Sequence, residues 1–191
     1  MKAQEFWLKF KELFSEGSDS LKTARKYWKK PRDFTNEFIN KYIPYIIKEQ
    51  NDIAEFEYFR IDIISYSQRK DEAEAYPYDG ELTPYLWDLK VAFEHENNNK
   101  EWLDEVIKLS HINCPLRVVV GYFVPDNFKR DNALDFAATM LKKRIGNECA
   151  NDQEFLLVIG DSGIPSAQQV SASSYTPYLY SNGKFIKQEW Y

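Results

Sequence analysis

At 191 residues, 43% hydrophobic and 29% charged, the chain fits one sizeable globular domain and excludes a disordered segment. A net charge of -5 argues against generic nucleic-acid binding over a globally positive surface, although a local basic patch can still supply phosphate contacts. No apolar stretch approaches the roughly 20 residues that span a bilayer, and the amphipathic start Met1 to Trp7 lacks a secretory h-region, so the expectation is a cytoplasmic protein with no membrane partner.

The first third reads as helical. Phe6, Phe10, Leu13 and Phe14 recur at helical spacing, and Gly17-Ser18 ends that segment. A second helix starts at about Asp19 or Ser20, turns Leu21, Ala24 and Tyr27 or Trp28 inward, and is stopped by Pro31. Thr35 caps a third, carrying Phe38, Ile39, Tyr42, Ile43, Ile46 and Ile47, with Pro44 kinking it or leaving its start ragged. The β-branched and aromatic run Phe56 to Tyr66 reads as a strand with Asp62 and Ile64 on one face. Gln68 to Pro84 is a polar connection, and Tyr85 to Glu96 returns as a strand. On it Asp88, Lys90, Ala92, Glu94 and Glu96 share a face, while Val91, Phe93 and His95 lie on the core face.

Asn97-Asn98-Asn99 makes a turn, and Asn98 with Glu101 has the spacing of a capping box before a helix that buries Trp102, Val106 and Leu109. Leu116 to Val124 has the continuous apolar character of a central strand. Asp131 caps a helix through Leu134, Ala137, Ala138 and Leu141, whose end at Lys142, Lys143 and Arg144 complements the helix dipole. Phe155 to Ile159 is a further buried strand ending at Gly160-Asp161-Ser162-Gly163. Tyr178 to Tyr180 folds against Phe185 to Lys187 through Asn182-Gly183. The result is a mixed α/β sandwich in a single domain, its central sheet covered on both faces.

The chemistry concentrates at Glu94-His95-Glu96 and Asp62. Alternate strand positions point the same way, so Glu94 and Glu96 face Asp62 if its strand is the neighbour. Three converging carboxylates repel one another unless a cation or proton neutralises them, which suggests a divalent-metal site. A charged sheet edge is the plainer alternative for the two glutamates. With only His95 and His111 present, a histidine-rich zinc site is excluded, and His95 reads as a hydrogen-bonded core residue. Cys114 and Cys149 lack metal-ligand spacing; they read as free thiols, with a disulfide left open. Lys22, Arg25, Lys26, Lys29, Lys30 and Arg32, interleaved with Tyr27 and Trp28, form the one strong basic cluster, either a phosphate grip or a solvated helix face. Gly160-Asp161-Ser162-Gly163 lacks the Walker lysine and reads as a plain turn.

Helix, strand with Asp62, strand with Glu94-His95-Glu96, then the helix and apolar strand over Trp102 to Val124, resembles the αβββαβ core of the PD-(D/E)XK, or restriction endonuclease-like, nucleases. The resemblance covers roughly residues 34 to 124, with 1–33 as a helical extension and 125–191 completing the sheet. It implies Mg²⁺ (or Mn²⁺) held by Asp62, Glu94 and Glu96, with a first-helix acid, Glu37 or more weakly Glu49, assisting. It also implies hydrolysis of DNA, with the basic cluster on phosphates. Only two strands are apparent before the helix, where the family has three, and Glu96 stands where the family usually has lysine. A minority of the family uses glutamate there, and some members move the lysine to the next helix, which nominates Lys108. Helical-wheel geometry turns Lys108 to solvent and leaves Glu105 nearer the buried edge. Asp88-Leu89-Lys90 offers a rival register with Lys90 as the cation. The lost lysine also fits a catalytically inactive member acting as a protein-interaction or immunity-like module.

Overall fold

The computed structural model describes residues 1–49, 52–69, 87–98, 101–123, 127–150 and 152–190. The expected connection from Gln68 to Pro84 lies almost wholly outside them, as do Tyr85, Asn99 and Val124. No helix among the described residues is long and apolar enough to cross a membrane.

Four helical segments come first: α1 (Ala3–Glu12), α2 (Asp19–Tyr27), α3 (Pro31–Phe34) and α4 (Asn40–Ile47), the last two joined by a π-helical turn at Thr35–Ile39. Ser18 caps α2 by accepting the Leu21 N–H at 3.1 Å. Pro31 starts α3 rather than merely ending α2, a position that suits its missing N–H. Thr35 therefore lies inside the helical run, its hydroxyl turned back to the Pro31 carbonyl at 3.1 Å. Pro44 sits within α4, downstream of the widened turn that absorbs the irregularity.

The described strands form a seven-stranded mixed sheet in chain order: β1 (Ile53–Tyr58), β2 (Ile61–Gln68), β3 (Trp87–His95), β4 (Leu116–Phe123), β5 (Glu154–Asp161), β6 (Tyr175–Ser181) and β7 (Lys184–Lys187). The first three are antiparallel, β3 to β5 are parallel, and β5 to β7 are antiparallel again. Helices α5 (Trp102–Leu109) and α6 (Asn127–Ile145) make the parallel crossovers. The sequence run Phe56 to Tyr66 is thus two strands and not one. Phe59 and Arg60 take φ of 48° and 64°, the left-handed pair that a tight hairpin needs, without the Gly or Asn that usually signals it. This hairpin supplies the third strand ahead of α5.

Strand alternation creates two cores. Val91 and Phe93 of β3 pack with Ile63, Val118 and Val120 beneath Phe6, Phe10 and Phe38, so the first helices form a covering layer continuous with the sheet. Ala92 packs with Ile64, Val119 and Leu157 beneath Trp102, Val106 and Leu134. Strand β4 touches both cores, which is why it is apolar throughout. Two caps differ from expectation. Asn98 bonds the Glu101 side chain at 2.7 Å and does not cap the α5 backbone, while Asp131 lies inside α6, four residues past its start, and pairs with Arg130.

Gly121 sets the distance between β4 and α5. A Cβ there would stand 2.6 Å from Trp102 Cβ and 2.8 Å from its Cγ, and Trp102 is only 1% exposed. Gly121→Ala is expected to cost about 1–3 kcal/mol and push α5 off the sheet. Urea denaturation checks this: the midpoint should fall with the slope unchanged, and an unchanged midpoint would show that α5 shifts freely.

Candidate active site

Strands β2 and β3 pair with Ile63 opposite Phe93 and Ile64 opposite Ala92. One further step in that register sets Asp62 opposite Glu94, and opposed residues of antiparallel strands share a face. That face is the one under α5. Asp62 is half-buried and accepts the His95 backbone N–H on Oδ2 at 2.8 Å, while Glu94 is only 1% exposed. Two acids are thus fixed side by side by backbone pairing alone.

Lys108 of α5 closes the arrangement. Its Nζ stands 2.7 Å from Glu94 Oε1, contacts Glu105 Oε2, and donates to the Arg60 carbonyl at 2.8 Å. Glu94 Oε1 and Glu105 Oε2 are both buried, and each has the Lys108 ammonium as its ion-pair partner. Glu96 lies just past β3, its N–H on the Val120 carbonyl at 2.9 Å and its Oε1 accepting the Asn98 N–H at 2.6 Å.

Charge explains the behaviour of the group. Burial first, and then repulsion from Asp62, push the Glu94 carboxyl up to about 9 against the opposing pull of Lys108. Burial also raises Asp62, with the His95 N–H and Lys108 pulling it back. Glu96 is raised by its partial burial, with Glu101, Glu105 and Asp62 adding to it. Burial pulls Lys108 down, but its contacts with Glu105 and Glu94 outweigh that and hold it above its ordinary value. Three carboxyl groups, Asp62, Glu94 and Glu105, therefore share one ammonium. Either a proton stays on the pair or a cation joins it.

The expected meeting of Asp62, Glu94 and Glu96 at one point takes a different form. Among the described residues no three acidic, histidine or cysteine groups converge closely enough to hold a metal ion as they stand. The structure makes an Asp62–Glu94 pair with a lysine across it, and Glu96 is drawn to the rim because its carboxylate caps the turn at Asn98. Lys108 reverses the helical-wheel expectation: its long stem carries the ammonium back over the strand ends although its Cα lies off the buried stripe. Glu105, on the buried edge as expected, is the acid that sequence reasoning did not nominate; its i, i+3 spacing to Lys108 was the available signal.

Other candidates fall elsewhere. Lys90 precedes Glu94 by four residues on β3, about 13 Å along the strand, and it is Lys108 that meets the carboxylate. Glu37 and Glu49 are exposed, and Glu37 belongs to the helical layer on the opposite face of the sheet. In the basic cluster, Lys22 pairs with Asp19 at 2.9 Å and Arg25 with Glu16 at 2.8 Å, both surface pairs. Lys26 and Lys30 lie over the Tyr27 ring, and Lys29 donates to the Pro165 carbonyl at 3.2 Å. His95 is buried and pushed down to about 3 by that burial, so it is neutral. Its Nε2 lies 3.1 Å from Tyr122 Oη and its Nδ1 3.4 Å from Thr35 Oγ1. Asp161 accepts the Gly163 N–H at 2.8 Å, an ordinary turn.

No family model, curated protein or solved structure matches this chain.

Proposed function

We propose that the chain is a Mg²⁺-dependent phosphodiesterase acting on DNA, built on a restriction endonuclease-like core. The observation that carries the reading is the Asp62–Glu94 pair with Lys108 Nζ 2.7 Å from Glu94, set on an α-β-β-β-α-β order of elements. The third strand, which the sequence did not display, and a lysine supplied from the helix after β3 are both features that the resemblance asks for.

The donor set suits a hard divalent cation. A half-buried carboxylate, Asp62, and a buried one, Glu94, stand opposed, and a positive charge is already drawn to the buried one. Asp62 and Glu94 would hold Mg²⁺ or Mn²⁺, which when bound polarises a phosphoryl oxygen and acidifies water. The chain's own groups do the rest. The His95 N–H keeps Asp62 oriented. The Lys108 ammonium, once released from Glu94, neutralises a non-bridging phosphate oxygen. Glu96, on the rim and raised from its ordinary value by partial burial, accepts the proton of the attacking water.

Linkage gives the first test. Saturating Mn²⁺ or Mg²⁺ is expected to raise the melting temperature by about 5 °C or more, and Asp62→Asn should erase the rise. Nicking of supercoiled plasmid should require the same cation. One observation favours a second reading: Lys108 already occupies Glu94, as it would in a structural ion pair. A catalytically inactive interaction or immunity-like module would show neither a cation-induced shift nor nicking, and Asp62→Asn would behave like the parent protein.

A further inference from the structure

The carboxyl ends of the parallel strands open a second site on the other face of the sheet. Asn97 follows β3, Tyr122 lies near the end of β4 and Ser162 follows β5; together with Trp28, Lys29 and Phe34 they line a cleft of about 330 Å³. Clefts of about 300–1,000 Å³ take small molecules.

Its walls are aromatic and held in place. Trp28 is half-buried and meets Phe34 and Tyr122 edge to face, with ring centroids 5.8 and 5.9 Å apart. Tyr122 Oη is fixed between His95 Nε2 at 3.1 Å and Tyr175 Oη at 3.4 Å. Asn97 Nδ2 donates to Thr35 Oγ1 at 2.7 Å and to the Pro31 carbonyl at 3.3 Å. Lys29 and Lys30 are exposed, and Lys26 and Arg32 extend the positive charge along the same segment. Of the nearby acids, Asp33 is exposed and Asp161 is engaged with the Gly163 N–H.

The geometry points to a nucleobase-binding cleft: one unstacked base of a single-stranded nucleic acid stacks on the half-buried Trp28, which the buried Phe34 and Tyr122 back edge to face, with the flanking phosphates on Lys29 and Lys30. Aromatic stacking beside a positive rim is how single strands are held, whereas a duplex keeps its bases stacked and out of reach unless it pays to flip one. The choice of nucleic acid as the ligand rests on the phosphodiesterase reading. His95 joins the two sites, its backbone N–H on Asp62 and its ring behind Tyr122. Glu96 and Asn97, whose Cα atoms are about 3.8 Å apart, belong one to the carboxylate rim and one to the cleft. A strand crossing this end of the sheet can therefore seat a base on one side and present a phosphate to Lys108 on the other.

Fluorescence anisotropy with a labelled oligodeoxythymidylate of about ten nucleotides, in EDTA to prevent cleavage, tests the cleft. Trp28→Leu removes the stacking surface, and Ser162→Trp, at an exposed position, fills the mouth without disturbing the core. Each is expected to weaken single-strand binding roughly tenfold, with duplex of the same length bound more weakly than single strand by the parent protein. Unchanged affinity in both variants, preference for duplex, or no oligonucleotide binding would overturn the proposal, and so would displacement of the oligonucleotide by peptide alone. Both variants should keep the Mn²⁺-induced rise in melting temperature, because neither residue touches the carboxylates. Absence of that rise in the parent protein would count against the phosphodiesterase reading, while cleft-dependent oligonucleotide binding in the same protein would still support the cleft.

Discussion

Replacing Glu94 with Gln is expected to abolish cation-dependent nicking and at the same time to stabilise the protein at pH 8 by a few kcal/mol. Glu94 ordinarily titrates at 4.5 and is pushed up to about 9 in the fold. Below 4.5 the group is protonated folded or unfolded and costs nothing. Between 4.5 and 9 the folded chain keeps a proton that the unfolded chain releases, so stability falls as pH rises, and the fall levels off above 9. Asp62, also raised, adds to the same trend. His95 works the other way: ordinarily 6.5 and pushed down to about 3, it removes stability as pH drops below 6.5. Above 6.5 His95 has finished titrating, and Glu94 leads the slope; towards pH 9 the thiol of Cys114, ordinarily 9 and pushed up to about 11 by burial, begins to add to it. The parent protein should therefore lose melting temperature steadily from pH 7 to 9, and Glu94→Gln should flatten that slope. A parent curve already flat over this range would mean that Glu94 is fully ionised on Lys108, and the strained-pair account would be abandoned. Cation should restore the parent's alkaline stability and leave Glu94→Gln unmoved, since the amide cannot ligate as an anion.

Lys108→Met tests the other half of the pair. Removing the ammonium leaves Glu94 and Glu105 facing Asp62 with no positive charge, and such a loss costs about 3 kcal/mol. The loss should be largest at alkaline pH, where Glu94 would otherwise ionise. Nicking should fall at least about a hundredfold if the ammonium neutralises phosphate charge in the transition state. Combining the two changes separates structure from chemistry. In Glu94→Gln with Lys108→Met, most of the stability should return while nicking stays absent, a coupling of about 1.5 kcal/mol or more between adjacent sites. If Lys108→Met proved neutral in both stability and activity, the lysine would be the solvent-facing residue that its helical position suggests.

Lys108 separates what a helical pattern encodes from what packing decides. Periodicity places Trp102, Val106 and Leu109 on the buried stripe of α5, and they are there, each 1% exposed or less. It leaves Lys108 off the stripe, which is correct for the Cα and wrong for the ammonium. A wheel records the direction of a side chain's root, whereas a lysine stem is long enough to bring its charge back to a buried carboxylate. The hairpin between β1 and β2 was hidden for a comparable reason. Phe59 and Arg60 pay the cost of left-handed backbone without a residue that announces it, so two strands read as one. The second hairpin, at Asn182-Gly183 with φ of 52° and 70°, was legible because its residues match its geometry.

Local pattern was enough for the elements and their faces: alternation along β3 assigns Val91 and Phe93 to one core and Glu94 to the other side, and β4's continuous apolar run marks a strand buried on both. Pattern also singled out Asp62, a carboxylate among isoleucines whose burial is expensive unless compensated. What it could not supply is distance. The antiparallel register that sets Asp62 against Glu94, the reach of Lys108 across the strand ends, the withdrawal of Glu96 to a turn and the cleft beneath Trp28 all join residues far apart in the chain. Such contacts arise from packing whole elements together, and no period within a single element encodes them.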